Sequence, residues 1–180
     1  MIKAILITGT PGTGKTSISK IIAKHYGYKY IHIGEDKDYV VAEEDVRIID
    51  VELMIKWLEK KQDEFGGMVV DSHLSHYFPP KRTRKCIVLR CEPSELKRRL
   101  EKRDYPQAKI DINLEAEAMD LILQEALNEG HSVYEINTTL RTPESCAEEA
   151  INAIDKDLVN YGKINFTKYI IDKALKKKSE

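Results

Sequence analysis

Eight consecutive residues near the amino terminus constrain this chain more than anything else in it. Gly9-Thr10-Pro11-Gly12-Thr13-Gly14-Lys15-Thr16 fills every fixed position of the pattern G-x-x-x-x-G-K-[ST]. Ahead of it, residues 2–8 form a short apolar run that reads as a strand buried on both faces. Behind it, residues 14–26 carry Ile18, Ile21 and Ile22 at helical spacing, and Gly27 supplies the stop. Strand, glycine-rich turn and helix in that order make a cradle for a polyphosphate. Consecutive backbone N–H groups and the positive end of the helix face the anion, and side chains at Gly9, Gly12 or Gly14 would block its approach. Lys15 supplies a mobile positive charge for the β- and γ-phosphates, the Thr16 hydroxyl suits Mg²⁺, and Ser17 reaches the α-phosphate. The expected ligand is a nucleoside triphosphate with Mg²⁺.

The remainder of the chain alternates in the way such a cradle requires. Strands are expected at residues 28–33, 68–70 (ending on Asp71), 86–90 and 132–136. Between them lie a carboxylate-rich loop at 35–45 and amphipathic helices at 47–65, 93–103 and 111–128, with a further helix opened by Thr142-Pro143. A last helix within residues 161–180 places Phe166, Tyr169, Ile170 and Ala174 on one side, for packing against the core. Alternation of this kind implies a single α/β domain, a five-stranded parallel sheet covered by helices on both faces in three layers.

Composition removes several other classes. An apolar fraction of 42% suits one packed core in 180 residues, and a net charge of −1 offers no broad basic surface for strong direct nucleic-acid binding. Two basic runs, at residues 81–85 and 173–178, read as solvated surface. Cys86, Cys91 and Cys146 form no paired pattern, which argues for a reducing compartment and against zinc. The first apolar run is too short for a membrane span, and a cytoplasmic monomer is expected.

Two further groups carry chemistry. Asp71 ends an apolar strand, where a carboxylate holds the Mg²⁺ shell beside a cradle. His73 stands two residues on and shares the Asp71 face if the strand continues, so that a neutral imidazole could position a water. The bland reading is a structural histidine; His76 reads as surface or substrate-lining. Arg99 and Arg103 lie four apart on one helical face, close enough for one guanidinium to meet an adenine and the other the transferring phosphate. An ordinary basic helix face is the alternative.

Taken together, the cradle, Val70-Asp71-Ser72-His73, the run Arg99-Leu100-Glu101-Lys102-Arg103-Asp104-Tyr105, and Lys109 with Asn113 and Glu117 resemble the adenylate kinase isoenzyme 6 family over residues 2–154. This family is also described as a coilin-interacting nuclear ATPase. The resemblance implies a P-loop fold of the nucleoside-monophosphate-kinase type with a short lid. It implies adenylate kinase activity (ATP + AMP to two ADP, with Mg²⁺), an ATPase activity, and a role in small ribosomal subunit maturation through a small-subunit ribosomal protein. By this likeness Gly9, Gly12, Thr13, Gly14, Lys15, Thr16 and Ser17 bind ATP and Arg103 is the lid arginine. Asp71 and His73 are the pair tied to Mg²⁺ and hydrolysis. Residues 30–53 would bind the monophosphate, 103–113 would form the lid, with Tyr105 and Lys109 as closing contacts, and 161–180 would be an extension. Arg82 and Arg84 are candidates for a protein-partner surface. Two rival readings stay open: an ATPase assembly factor, and a kinase of another small acceptor, since shikimate- and nucleoside-type kinases share this cradle.

Overall fold

Apolar runs too short to be helices alternate with amphipathic ones along this chain, and the computed structural model, which describes residues 3–34, 38–43 and 47–177, stacks them in that order. The elements are β1 (Ala4–Thr8), α1 (Lys15–Tyr26), β2 (Lys29–His32), β3 (Val40–Glu43), β4 (Arg47–Ile49), α2 (Val51–Phe65), β5 (Met68–Asp71), β6 (Thr83–Arg90), α3 (Pro93–Glu101), α4 (Gln107–Ala118), α5 (Leu121–Asn128), β7 (Val133–Asn137), α6 (Pro143–Asp155) and α7 (Thr167–Lys177). Strands β2, β5, β1, β6 and β7 lie side by side in that order, and every pair is parallel.

Alternation along the central strands sends side chains to both faces. Ile5 and Ile7 of β1, with Val69 and Ile87, pack on Ile18 and Ile22 of α1 and on Ala147 and Ala150 of α6. Ala4, Leu6, Val70 and Val88 face Met54 and Leu58 of α2 and Leu123 and Ala126 of α5. Each fully buried aliphatic side chain of this kind contributes roughly 1.5–3 kcal/mol. The outcome is the expected three-layer arrangement, with the carboxyl ends of all five strands at one edge, where ligands bind in such sheets.

The structure departs from the sequence reading in three places. The loop expected at 35–45 holds β3, which pairs antiparallel with β4; Glu35, Asp36, Lys37, Glu44 and Asp45 lie outside the described residues. β4 takes residues 47–49 from the expected helix, because Asp50 caps α2 with its carboxylate accepting from the Leu53 N–H at 3.0 Å. The long helix expected at 111–128 is two helices. It starts earlier, behind Pro106, and breaks at Asp120, whose φ of 57° leaves the helical range.

The basic run at 81–85 is solvated surface only in part: Lys81 is exposed and Arg82 and Arg84 are half-buried. Lys85 is fully buried, donating to Ser132 Oγ at 2.6 Å and the Leu158 carbonyl at 3.1 Å and pairing with Asp157. Arg82 bridges to Asp63 at 2.8 Å and Glu59 at 3.3 Å, and Arg84 meets Asp155 at 3.3 Å while lying over the Tyr26 ring. These arginines are spent on the fold. Of the four residues expected to pack from the carboxyl-terminal segment, Tyr169 reaches a core cluster, whereas Ala174 is exposed. Asn160 adds a bridge to the β7 edge, and Tyr169 of α7 covers Leu96, Leu100, Ile110 and Leu114.

Candidate active site

The turn after β1 is built around conformations that only glycine adopts at ease. Gly9, Gly12 and Gly14 have φ of 136°, 92° and 97°. A Cβ on Gly9 would stand 2.4 Å from the Leu89 carbonyl oxygen, and one on Gly12 would stand 2.8 Å from Leu96 Cδ1, so the loop rests directly on β6 and α3. Gly14 caps α1 without any side-chain acceptor for the first-turn N–H groups. That leaves a ready anion site at the helix's positive end. Thr13 turns inward, its hydroxyl donating to the Thr10 carbonyl at 2.8 Å.

Lys15 folds back over this loop. Its ammonium donates to the carbonyls of Gly9 at 2.8 Å and Thr10 at 3.1 Å. Burial lowers its pKa to about 8; Asp71 and Glu117 oppose that shift and Arg103 adds to it. The side chain is therefore a charge parked on neutral carbonyls, ready to exchange them for phosphate oxygens.

Asp71, fully buried at the end of β5, stands opposite. Its Oδ2 accepts from the Thr16 hydroxyl at 2.7 Å, the Tyr30 hydroxyl at 3.0 Å and His32 Nδ1 at 3.1 Å, while Oδ1 is buried with no hydrogen-bond partner among the described residues. Burial pushes the carboxyl upward, but the His32 and Thr16 hydrogen bonds and the Lys15 ammonium outweigh it and hold the pKa below the usual range. One unpartnered carboxylate oxygen beside a hydroxyl is a hard-oxygen donor set that fits Mg²⁺, which prefers one or two protein ligands and shares the rest with phosphate and water.

These groups line one cavity of about 450 Å³, with Pro11, Gly12, Gly14, Ser17, His73, Arg103 and Tyr105 along it and Ile33, Gly34 and Ile49 of the 30–53 region at the other end. His73 reaches the cavity by a different route from the one expected. β5 ends at Asp71, and the turn through Ser72 swings the imidazole to the rim, where it is exposed. Desolvation on its inner side, then the nearby Lys15 and His32, lower its pKa, and an imidazole this exposed is mostly neutral at pH 7 even at the ordinary value of about 6.5. Arg103 is exposed just past α3 and borders both this cavity and a smaller one of about 230 Å³ behind the cradle.

Arg99 does not line the larger cavity. It donates to Glu95 at 2.8 Å and to the Thr138 carbonyl at 2.8 Å, and it meets Arg103 and Arg141 in the smaller one, against Gly12, Thr13 and Gly14. The shared helical face expected for Arg99 and Arg103 does not form, because α3 ends at Glu101. The lid region is also redrawn: residues 107–113 form the first turns of α4, so the irregular part is 102–106. Within it Asp104 holds φ 56°, a conformation Asp tolerates better than most residues. Lys109 lies in the first turn of α4 and does not line the cavity.

His76 is neither surface nor lining. It is fully buried in a 3₁₀ turn at Ser75–Tyr77, with Nδ1 at 3.1 Å from Thr8 Oγ1. Sequence reading missed Tyr30 and His32. The signal was available: His32 pairs in register with Asp71, and Tyr30 lies two residues back on the same face.

The AAA domain family matches residues 5–120. A protein named "Putative adenylate kinase" from Methanosarcina acetivorans is 42% identical, over 83% of this chain and 84% of that protein. One with the same name from Methanocaldococcus jannaschii is 38% identical, over 93% of this chain and 95% of the other. Among solved structures, a shikimate kinase from Acinetobacter baumannii aligns with a TM-score of 0.61 at 11% identity over 89% of this chain and 97% of its own. A deoxyadenosine kinase from M. mycoides with bound dATP aligns at 0.56 and 14%, over 85% and 99%. At such identities these two speak for the P-loop NTPase fold alone. The motifs, the cradle and the long alignments agree, and the chain belongs to the P-loop family of archaeal proteins that carry the adenylate kinase name.

Proposed function

We propose that this protein is an adenylate kinase that moves the γ-phosphoryl group of ATP to AMP, with Mg²⁺. The observation that carries the reading is the single cavity running from the phosphate cradle to Ile33, Gly34 and Ile49, with Arg103 and Tyr105 at its edge. A donor polyphosphate on the cradle and an acceptor against residues 30–53 would meet inside it. Phosphoryl transfer needs alignment and charge neutralisation more than a proton acceptor. Lys15 releases the Gly9 and Thr10 carbonyls and takes the β- and γ-phosphate oxygens. Arg103, which makes no ion pair among the described residues, swings onto the charge that develops during transfer. Thr16 and Asp71 would hold Mg²⁺, which neutralises phosphate charge when bound. Tyr30 and His32 keep Asp71 turned toward Thr16, and closure of 102–106 excludes water as a competing acceptor.

The placement of His73 favours a second activity at the same site. A neutral imidazole on the cavity rim can orient a water, which supports an accompanying ATPase activity. By family resemblance that hydrolysis would serve small-subunit maturation in the cytoplasm through a ribosomal protein partner. Adding AMP to enzyme and Mg·ATP separates the activities. Two ADP formed per ATP consumed, dependent on AMP, supports transfer; phosphate release indifferent to AMP supports hydrolysis. Lys15→Ala abolishes both, and unchanged turnover in that variant would remove the site assignment.

A further inference from the structure

Glu117 belongs to the residues that mark the family resemblance, yet neither the cradle nor the cavity uses it. It lies on α4, the helix that follows the lid, and is 2% exposed. Its Oε2 accepts from the Thr10 hydroxyl at 2.5 Å, inside the cradle. Its Oε1 accepts from Arg90 Nε at 2.8 Å and from the Cys91 N–H at 3.0 Å. The carboxylate thus ties three pieces of chain: the P-loop, the end of β6 and the lid helix. Thr10 is itself buried, and its carbonyl receives both the Lys15 ammonium and the Thr13 hydroxyl.

We propose that Glu117 is a positioning residue for the phosphate cradle, holding Thr10 from the lid helix so that the loop and the resting Lys15 are set before nucleotide arrives. The inference rests on the cradle as the ATP phosphate site. The chain of contacts is short. Arg90 fixes the Glu117 carboxylate, the carboxylate fixes the Thr10 side chain, and the Thr10 peptide fixes Lys15 and Thr13. A loop already ordered spends less binding free energy on ordering, and the saving appears as affinity. Because Glu117 lies on the helix that follows residues 102–106, this carboxylate gives α4 a direct polar contact with the cradle, beside the apolar one through Leu96 and Leu100.

Thr10→Val keeps the shape of the side chain and deletes only the donor to Glu117. Calorimetric titration with Mg·ATP should show Kd raised about tenfold, the usual weight of one charge-assisted hydrogen bond. Thr10→Ser, which keeps the hydroxyl, should bind within about twofold of the unmodified protein. Glu135→Gln removes one carboxylate charge from the far side of Arg90, at 2.7 Å, and leaves both Arg90–Glu117 hydrogen bonds in place to hold the carboxylate. It should lower the melting temperature and leave Kd within about twofold, as expected for a purely structural contact. Should Thr10→Val not fold, Glu117→Met, which leaves no polar partner for the Thr10 hydroxyl, takes its place with the same expected rise in Kd. Unchanged ATP affinity in either of these, an equal loss in Thr10→Ser, or a matching rise in Glu135→Gln would overturn the proposal. Failure of the unmodified protein to take up ATP would overturn the cradle reading itself, and it registers before any variant is made.

Discussion

Asp71 and Arg90 occupy matching stations, at the carboxyl ends of the two strands that flank β1, and are 0% and 2% exposed. Their surroundings differ completely. Arg90 has a partner on every nitrogen: Nε meets Glu117 at 2.8 Å, one terminal nitrogen meets Glu135 at 2.7 Å, and the other donates to Asp120 and to the Glu117 carbonyl at 2.8 Å, with the Phe166 ring against the guanidinium. Among the described residues, Asp71 is tied on one oxygen by three donors and bare on the other. A buried charge whose every polar atom has a partner belongs to the architecture. One that keeps an unmatched oxygen beside a cavity is waiting for something the protein does not supply.

The sharpest way to break that comparison is to remove each charge in turn. Arg90→Met leaves Glu117, Glu135 and Asp120 without their common counter-charge. Stripping one side of a buried ion network costs about 3–5 kcal/mol, so denaturant unfolding should show a loss of that size. Folded Arg90→Met protein with unchanged stability would make Arg90 dispensable and the contrast empty.

Asp71→Asn is the mirror experiment and the next largest effect. It preserves size and removes the negative charge. With Mg·ATP and AMP, kcat should fall by roughly 10²–10³, the scale of losing one placed electrostatic group, while the unfolding midpoint moves little. A variant that unfolds readily but turns over normally would place Asp71 in the same class as Arg90.

The sequence revealed one of these two stations and concealed the other, for a physical reason. Asp71 was legible because an apolar strand ending in a carboxylate, placed after a P-loop, has local meaning. Arg90 ends a similar strand, but its partners lie 27, 30 and 45 residues away, and no local pattern announces them. The same blindness explains the missed break between α4 and α5. Hydrophobic spacing runs on through residue 120, whereas Asp120 adopts φ 57° and places its carboxylate on Arg90. It also explains the misread basic run, whose Lys85 is buried by residues 132 and 158. The cradle and the parallel sheet were readable throughout, since both rest on contiguous residues and simple periodicity.

Between the two stations β1 ends in Thr8, whose hydroxyl meets the buried His76 ring. Burial, then the neighbouring His131 and His73, lower the His76 pKa to about 4. Glu125 Oε2 stands 3.3 Å from Nε2 and favours the charged ring, but it makes no hydrogen bond there, and burial prevails. With the folded pKa below the unfolded value of about 6.5, the unfolded chain binds the extra proton first, so stability is intact above that pH and erodes as pH falls toward 4. Between pH 8 and pH 5 the erosion should reach about 2 kcal/mol. His76→Gln should flatten this part of the pH–stability curve, and an equally steep curve in that variant would move the cause to other groups.

The smallest effect sharpens the comparison most finely. Tyr30→Phe deletes one of the three donors on Asp71 Oδ2 and leaves the charge, the His32 contact and the Thr16 contact in place. A hydrogen bond to a charged group is worth about 1.5–3 kcal/mol, but two others remain to hold the carboxylate, so the loss should lie near the lower end. If Asp71 is oriented for a ligand, that loss appears in the Mg²⁺ dependence of turnover, as a several-fold rise in the Mg²⁺ concentration giving half-maximal rate. If the three donors merely neutralise a buried charge, as the carboxylates do around Arg90, the loss appears in unfolding alone and the Mg²⁺ curve stays where it was. Titrating Mg²⁺ at saturating ATP in the two proteins therefore decides whether the bare oxygen of Asp71 differs in kind from the crowded guanidinium of Arg90, or only in the number of its contacts.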